Sequence, residues 1–316
     1  MTLVLARTLN MEHIEWLKAR KNGIGGSDVS AICGLNKYKS PIGVYLEKVE
    51  REVQGQEQSE AAYWGNRLEE IVAKEFTKRT GKKVRSRNVI LQHKDYPWML
   101  ANLDRVVVGE RAILECKTAN SFLAKEWDGE EVPAAYILQV QHYLAVTGYK
   151  TAYIACLIGG QKFIHKTIER DNEIIEYLIE MEKEFWVNHV EKREPPKIDG
   201  SEASSKVISM LYPEAKSDEE IVLDKDISKL INKRIELKEQ EEHIKEKINE
   251  IDNQIKSSMG EHSKAIAGDF RVTWSNSITS RFDSKSFKEN CPNLYKQYLK
   301  QGSTRRLFIN KVKEAK

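Results

Sequence analysis

Helix and strand signals alternate along the first two hundred residues of this 316-residue chain. Three helical segments lead into a longer helix, three strands follow, and then come a helix, two strands and a last helix. A helix buries its apolar stripe against a neighbouring layer, and alternating elements achieve this by packing helices on a sheet. We therefore predict an α/β fold with a central mixed β-sheet flanked by helices.

Capping residues and turns predict the boundaries of these elements. Ser40 and Pro41 are typical of a helix start, whereas Gly81 and Gly148 stand where helices end in the left-handed conformation. The strands are predicted at 84–91, 99–108, 112–117, 151–158 and 162–168.

The pattern changes beyond residue 198. We predict a core over residues 1–198, a linker over 199–226, a long helical or coiled-coil segment over 227–260, and a basic α+β segment over 261–316. Apolar residues recur every seven positions in the helical segment, which is the repeat of a coiled coil. Its two rows consist of Leu230, Leu237, Ile244 and Ile251, and of Ile227, Ile248 and Ile255.

Charged residues interrupt this repeat at Arg234 and Glu241. Three interpretations stay open: a solvated helix packed on its own domain, a contact with another protein chain, and a clamp on nucleic acid. The segment is either one rod of about 50 Å or an antiparallel pair bent near Gln240.

Composition and charge exclude several classes of protein. The apolar runs are shorter than the roughly 18–20 residues that cross a bilayer, and the N-terminus becomes polar too soon for a secretory signal. We therefore expect a cytoplasmic protein without membrane contact. The 4 cysteines and 7 histidines lack metal-binding spacing, so any metal would be a hard cation held by carboxylates.

The net charge of +3 conceals an uneven distribution. The final 53 residues contain 12 Lys and Arg against 4 Asp and Glu. Such an excess favours contact with phosphates, although it is also typical of a solvated surface. The candidate DNA contacts are Arg271, Arg281, Lys285, Lys288, Arg305 and Arg306.

The most informative stretch is LANLDRVVVGERAILECKTAN, residues 100–120. A tight turn brings Asp104 beside Glu115 and Lys117, which share one face because strand side chains alternate. Asp104, Glu115 and the main-chain carbonyl of Cys116 can hold Mg²⁺, and Lys117 can bind a water that attacks a phosphodiester. An ion pair at the end of a strand is the alternative.

The Glu-x-Lys pattern alone carries little information, because it recurs at Glu236-Leu237-Lys238 and at Glu314-Ala315-Lys316. The first copy differs in its setting: it continues the apolar strand Ala112-Ile113-Leu114, with an Asp one hairpin away.

Polar residues on other segments can join this site. Tyr136, Gln139 and Tyr143 fall on one stripe of a helix. Arg20 and Ser27 flank a glycine-rich turn, where Ser27 can cap the next helix and the helix N-terminus suits a phosphate.

Together these segments resemble the phage lambda exonuclease-like, YqaJ-type viral recombinase family, a branch of the PD-(D/E)xK nucleases. The resemblance covers roughly residues 10 to 190 and implies a restriction-endonuclease-like core. Its ordered motifs are matched by Arg20 and Ser27, by Trp64-Gly65 and Glu69, by Asp104, Glu115 and Lys117, and by Tyr136, Gln139 and Gln141.

The resemblance implies a role for each of these residues. Asp104 and Glu115 would be metal ligands, and Glu69 a ligand of a second ion or of its water. The two ions would be Mg²⁺, with Mn²⁺ as a substitute. The remaining motif residues would orient the water (Lys117, Gln139), grip a 5′-phosphate (Arg20, Ser27) and support the site (Tyr136, Gln141).

The activity implied is 5′→3′ exonuclease digestion of double-stranded DNA, which leaves 3′ overhangs for phage or prophage recombination. The implied partners are DNA ends, a RecT or Redβ-type single-strand annealing protein, and further copies of the chain in a trimeric or tetrameric ring. A structure-dependent endonuclease and a DNA-end-binding scaffold with a decayed site are the alternatives.

The chain departs from the family pattern in two places. The family's proline before Asp104 is absent, since Asn102-Leu103 stands there. The region beyond residue 200 has no counterpart in the short lambda-type enzyme.

Overall fold

The protein is described by a computed structural model that covers residues 2–50, 59–215, 220–300, 302 and 305–311. It divides into two compact units, Met1–Leu211 and Tyr212–Lys316. The helices of the N-terminal unit are α1 (His13–Lys21), α2 (Gly26–Ile32), α3 (Pro41–Val49), α4 (Glu60–Thr80), α5 (Ala134–Thr147), α6 (Asn172–Glu184) and α7 (Glu202–Leu211), with a 3₁₀ helix (Ser121–Trp127) and a π-helix (Phe185–Glu191).

The caps predicted at Ser40, Gly81 and Gly148 are present. The Ser40 hydroxyl accepts a hydrogen bond from Gly43 N–H at the start of α3. Gly81 and Gly148 end α4 and α5 with φ of 73° and 66°. These two helices therefore end where a left-handed residue is needed.

Two mixed sheets form the strand layer. A five-stranded sheet has the order β3-β6-β7-β8-β9, in which only β7 and β8 are parallel neighbours. A four-stranded sheet has the order β1-β4-β5-β2. The strands are β1 (Leu3–Arg7), β2 (Ile24–Gly25), β3 (Val84–Arg85), β4 (Val89–Gln92), β5 (Met99–Asn102), β6 (Arg105–Val107), β7 (Ala112–Ala119), β8 (Thr151–Ile158) and β9 (Lys162–Glu169).

The predicted α/β class with mixed strands flanked by helices is confirmed, and the strands of the N-terminal unit divide between two mixed sheets. Predicted strands 84–91 and 99–108 each break midway, and each contributes one piece to either sheet. The second break falls at Leu103-Asp104, between β5 and β6. An alternating pattern continues through such a break, because it reports burial of alternate residues and not the partner strand.

Helix α5 lies at the centre of the N-terminal unit. All nine residues from Gln139 to Thr147 are buried, so the helix is covered on every side. Val140 and Leu144 belong to the main apolar cluster, together with Leu91 and Ile154 of the two sheets. This burial fixes the position from which Gln139 projects.

The segment predicted as a linker, 199–226, differs from expectation in its first half. Helix α7 belongs to the N-terminal unit, with Ala203 buried and Val207 packed against the apolar cluster around α2 and α3. The sequence of α7 is rich in serine, but Ala203 and Val207 form a narrow apolar stripe on it.

In the C-terminal unit, α8 (Lys225–Met259) is one continuous helix of 35 residues, without the bend considered near Gln240. A hairpin of β10 (Lys264–Ala267) and β11 (Phe270–Thr273) follows, and then the short helices α9 (Ser284–Asn290) and α10 (Pro292–Gln297). The described parts of the chain include no helix long and apolar enough to span a membrane.

Candidate active site

A cavity of about 250 Å³ opens in the N-terminal unit among α1, α2, β5, β7 and α5. It brings together residues of the predicted hairpin and predicted site residues of other segments. The predicted site residues that line it are Arg20, Ser27, Asp104, Glu115, Lys117 and Gln139. Trp16, Asn66 and Asn102 also line it and were not predicted.

Asp104 lies in the connection between β5 and β6, where the chain passes from one sheet to the other. Its Oδ2 accepts a hydrogen bond of 2.8 Å from the main-chain N–H of Cys116 on β7. The Cys116 side chain packs instead against the apolar cluster that includes Phe76 of α4. The main chain of β7 thus holds the Asp104 carboxylate at the edge of the cavity.

Glu115, Lys117 and Gln139 form a closed set of contacts. Lys117 Nζ lies 2.7 Å from Glu115 Oε1 and donates a 3.0 Å hydrogen bond to Gln139 Oε1. Gln139 Nε2 donates to the same Glu115 oxygen at 2.6 Å and to the Tyr143 hydroxyl at 3.2 Å. The Tyr136 ring centroid is 5.1 Å from Lys117 Nζ. The residues predicted on one stripe of the helix (Tyr136, Gln139 and Tyr143) therefore lie against those predicted on one face of the strand (Glu115 and Lys117).

The charged form of the Asp104 carboxylate is disfavoured in this place. Burial raises the pKa of Asp104 to about 7, and the nearby Glu115 carboxylate acts in the same direction. Burial alone would lower the pKa of Lys117, but Glu115 and Asp104 raise it above its ordinary value. Lys117 is therefore a cation at neutral pH, and it offsets part of the negative charge.

The donor set at Asp104 and Glu115 fits a hard divalent cation. Both side chains supply carboxylate oxygens, and their mutual repulsion in a buried place is what such a cation relieves. Their hydrogen bonds within the described residues use Asp104 Oδ2 and Glu115 Oε1. Among those residues, however, no three His, Cys, Asp or Glu side chains converge as a metal-binding group.

Glu69 does not complete such a group, because it is engaged by Arg105. The Arg105 guanidinium contacts the Glu69 carboxylate, donates to Glu70 Oε2 at 2.8 Å and donates to the main-chain oxygen of Asp104 at 2.7 Å. Burial and the negative charge of Asp104 raise the pKa of Glu69. Arg105 was missed by the sequence reasoning, although a charged residue inside the apolar run LDRVVV was the available signal.

Arg20 and Ser27 line the same cavity and are in contact with each other. Arg20 Nη2 donates a 3.0 Å hydrogen bond to Ser27 Oγ, and the guanidinium carbon is 4.8 Å from the Trp16 ring centroid. Ser27 is not the N-cap that the sequence suggested, since α2 begins at Gly26. A Cβ at Gly26 would lie 2.5 Å from the Tyr143 ring, so glycine lets α2 approach α5.

Gln141 lies away from the site. Its side chain donates to the main-chain oxygen of Glu169 at 2.7 Å and accepts from Asp171 N–H at 3.0 Å. Two residues along a helix rotate a side chain by about 200° relative to Gln139. The supporting role implied for Gln141 is therefore corrected: it fixes the start of α6.

Comparison with known proteins agrees with this architecture. The alkaline exonuclease LHK-Exo of Laribacter hongkongensis superposes with a TM-score of 0.50 at 20% identity, over 63% of this chain and 99% of that one. The same protein in complex with dAMP gives a TM-score of 0.48 at 20% identity, with the same coverage. The first match establishes that this chain has the fold of an alkaline exonuclease.

The family follows from sequence. Residues 15–150 match the YqaJ-like viral recombinase domain. Over 311 residues the chain is 43% identical to the protein YqaJ of Bacillus subtilis strain 168, with 98% of each chain covered. The chain belongs to the YqaJ-like viral recombinase family, as its motifs predicted.

Proposed function

We propose that this protein is a Mg²⁺-dependent 5′→3′ exonuclease of double-stranded DNA that leaves 3′ overhangs for recombination by single-strand annealing. One observation carries the proposal: a single cavity joins residues suited to phosphodiester hydrolysis with Arg20 and Ser27, which suit a terminal phosphate. Membership of the YqaJ-like viral recombinase family supports it.

Asp104, Glu115 and the Cys116 main-chain carbonyl would hold Mg²⁺ or Mn²⁺. The ion would supply Lewis acidity and lower the pKa of a bound water. Glu69 would serve a second ion only by exchanging its partner Arg105, because the two side chains are in contact.

Lys117 and Gln139 would place the attacking water. Both contact the same oxygen of Glu115, so a water beside that oxygen has a cationic donor and an amide within reach. Lys117 would also stabilise the negative charge that grows on the phosphate oxygens in the transition state.

Arg20 and Ser27 would select the terminal phosphate of a DNA end over the internal phosphates of the strand. A terminal phosphomonoester carries more negative charge than a phosphodiester, and a guanidinium offers it a fixed fork of donors. Holding that phosphate at one end of the cavity would place the following phosphodiester towards Asp104 and Glu115.

The proposed partners rest on family membership. They are double-stranded DNA ends, a RecT or Redβ-type annealing protein, and further copies of the chain in a trimeric or tetrameric ring, in the cytoplasm of a bacterial host. The basic residues of the C-terminal unit would add DNA contacts, since their charge is attracted to the phosphate backbone.

Linear duplexes labelled at the 5′ or at the 3′ end, together with closed circular DNA, test the proposed polarity. We expect 5′ label to be released first in Mg²⁺, no release with chelator, and intact circles. Cutting of circles as fast as linear DNA would instead favour the structure-dependent endonuclease.

Calorimetric titration with Mg²⁺ and with Mn²⁺ tests the metal. We expect binding to the wild type that Asp104→Asn weakens strongly, because a neutral amide replaces one of two charged ligands. Equal heats for both proteins would favour a DNA-end-binding scaffold whose site has decayed.

A further inference from the structure

The buried carboxylate of Asp28, beside the cavity, is surrounded by three cationic side chains. Asp28, in the first turn of α2, is fully buried. Its Oδ1 accepts a hydrogen bond from Lys39 Nζ at 2.7 Å, and its Oδ2 accepts from Lys48 Nζ at 2.8 Å and from Gly25 N–H at 3.1 Å. Arg20 Nη2 lies 3.7 Å from the same Oδ2.

Positive charge exceeds negative charge in this network. Within the described residues it contains Arg20, Lys39 and Lys48 against Asp28 and Glu47, whose Oε2 lies 2.6 Å from Lys39 Nζ. Burial alone would raise the pKa of Asp28, but the three cations hold it well below its usual range. Such a network costs more desolvation energy than an apolar core of the same volume, so stability alone does not account for it.

Asp28 connects this network to the phosphate end of the cavity. By accepting from Gly25 N–H it anchors the turn that carries Ser27. The Arg20 guanidinium is held between the Trp16 ring and Ser27 Oγ, and a Cβ at Gly25 would lie 3.2 Å from Arg20 Nη2. Asp28 therefore contacts both the turn that carries Ser27 and the Arg20 guanidinium.

We propose that Asp28 is a positioning residue that, with Lys39 and Lys48, sets the preference for a 5′-phosphorylated DNA end over a 5′-hydroxyl end. The inference rests on the proposed function and deepens it. Asp28 acts through Arg20 and the turn of Ser27, and the surplus positive charge around it strengthens the attraction for a doubly charged phosphomonoester.

Asp28→Asn tests this role, because it removes the charge and keeps the shape. We expect the ratio of initial rates on 5′-phosphorylated and 5′-hydroxyl duplex to fall about ten- to a hundredfold, the effect of one charged hydrogen bond. The matched control is Asp171→Asn, which removes a carboxylate that caps α6 and should leave the ratio unchanged. A folded Asp28→Asn protein with the wild-type ratio overturns the inference.

A second variant covers the case in which Asp28→Asn does not fold, since that change leaves two lysines without their counter-charge. Lys39→Gln lies at the partly exposed edge of the network and should lower the ratio in the same direction. If Asp28→Asn fails to fold and Lys39→Gln keeps the wild-type ratio, the inference is contradicted.

Binding measurements separate this inference from the proposed function. Fluorescent 5′-phosphorylated and 5′-hydroxyl duplexes are titrated with Lys117→Ala protein, with and without Asp28→Asn. A phosphate preference in binding that Asp28→Asn abolishes supports the inference even if the wild type cleaves nothing. Cleavage by the wild type without any phosphate preference contradicts the inference alone.

The C-terminal unit carries an independent feature, the heptad stripe of α8. All seven apolar residues of the stripe are exposed in the described chain, with Leu230 and Ile244 at 62% and 56%. Arg234 and Glu241, the charged residues within the stripe, have opposite signs and stand one heptad apart.

The charges of Arg234 and Glu241 favour one orientation of two paired α8 helices over the other. In a parallel, in-register pair of α8 helices, Arg234 would face Arg234 and Glu241 would face Glu241. In an antiparallel pair centred at Glu239, one row packs against the other: Leu230 faces Ile248 of the second copy, and Arg234 lies one layer away from Glu241 of the second copy. Ile227 then faces Ile251, so apolar residues meet near both ends of the pair, and the opposite charges of Arg234 and Glu241 become neighbours. We infer that the stripe binds the α8 helix of a second copy of this chain in antiparallel orientation.

Sedimentation of the full-length chain tests the contact. Leu230→Glu should lower the association state, since it puts a carboxylate in the stripe. Arg234→Glu and Glu241→Arg should each weaken association, whereas the double exchange should restore it, because opposite charges meet again only in the antiparallel pair.

Two results overturn this second inference. Leu230→Glu with wild-type mass would show that the stripe is covered by another partner or by its own chain. A double exchange no better than the single ones would exclude the antiparallel arrangement.

Discussion

The chain carries the same three-residue pattern, Glu-x-Lys, on a buried strand and on an exposed helix. In β7, Lys117 Nζ lies 2.7 Å from Glu115 Oε1, because residues two apart in a strand share a face. In α8, Lys238 pairs with Glu241, three residues further on, and not with Glu236. The backbone period therefore decides whether the pattern builds a site or a surface ion pair. Two further copies, at 214–216 and 314–316, lie partly or wholly outside the described residues.

Burial widens the difference between the two copies. Leu114, next to the first pattern, is 1% exposed, whereas Leu237, inside the second, is 54% exposed. Charges interact more strongly where water is excluded, and exposed pairs on helices contribute little. One sequence pattern can thus be functional in the N-terminal unit and ordinary in the C-terminal unit.

The largest expected effect comes from removing the lysine of each copy. Lys117→Ala should lower the rate of DNA cleavage by about 10²- to 10⁴-fold, the contribution of a positioned acid-base or electrostatic group. Lys238→Ala should leave the rate unchanged. The measurement is the initial rate on labelled duplex, with circular dichroism as the control for folding. Equal losses in both variants would remove the functional distinction between the copies.

The next effect concerns stability. Leu114→Ala should lower the free energy of unfolding of the N-terminal unit by about 2–5 kcal/mol, because it leaves a cavity in a packed core. Leu294→Ala, on α10 where the side chain is half exposed, should change the free energy of unfolding of the C-terminal unit by less than about 0.5 kcal/mol. Urea unfolding of both variants measures the difference. A cost for Leu294→Ala similar to that for Leu114→Ala would show that the C-terminal unit has a comparable core.

The smallest effect compares two histidine–glutamate pairs. His142 Nδ1 lies 2.7 Å from Glu182 Oε1, and His142 Nε2 donates to the Leu100 carbonyl at 2.8 Å. Burial alone would lower the pKa of His142, but Glu182 raises it above its ordinary value; burial raises the pKa of Glu182. Whichever side chain holds the shared proton, the folded pair keeps it to higher pH than an unfolded histidine does.

The sign of the pH dependence follows from that raised pKa. The stability contributed by the pair is complete below the unfolded pKa of about 6.5 and is lost as pH rises through the folded value. His142→Gln should therefore cost more stability at about pH 6 than at about pH 9. His243→Gln, from the exposed pair with Glu246 on α8, is the control. Urea unfolding at both pH values checks this, and a pH-independent cost of His142→Gln would contradict it.

Much of the fold and of the candidate site could be predicted because it depends on local chemistry. Ser40 caps α3, and Gly81 and Gly148 end their helices, because capping needs only the residue and its neighbours. Glu115 and Lys117 share a face because of the strand period alone.

Other features could not be read from the sequence. A pattern of alternating burial does not tell which sheet a strand joins, so the breaks at β3/β4 and β5/β6 were missed. Gln141 was assigned to the site by its motif, although the helix period already turned it away from Gln139.

The sequence by itself determined the residue types and the local periods: two carboxylates and a lysine at the end of a hairpin, an arginine and a serine around a glycine turn, and a heptad stripe on a long helix. The tertiary structure alone decided which charges meet. Arg105 engages Glu69 and Glu70, 36 and 35 residues away, and Asp28 gathers Lys39 and Lys48 from the following loop and helix. Such pairings arise because a buried charge is stable only beside a partner. The partner comes from whichever part of the chain packs nearby, so the helix and strand periods of the sequence do not identify it.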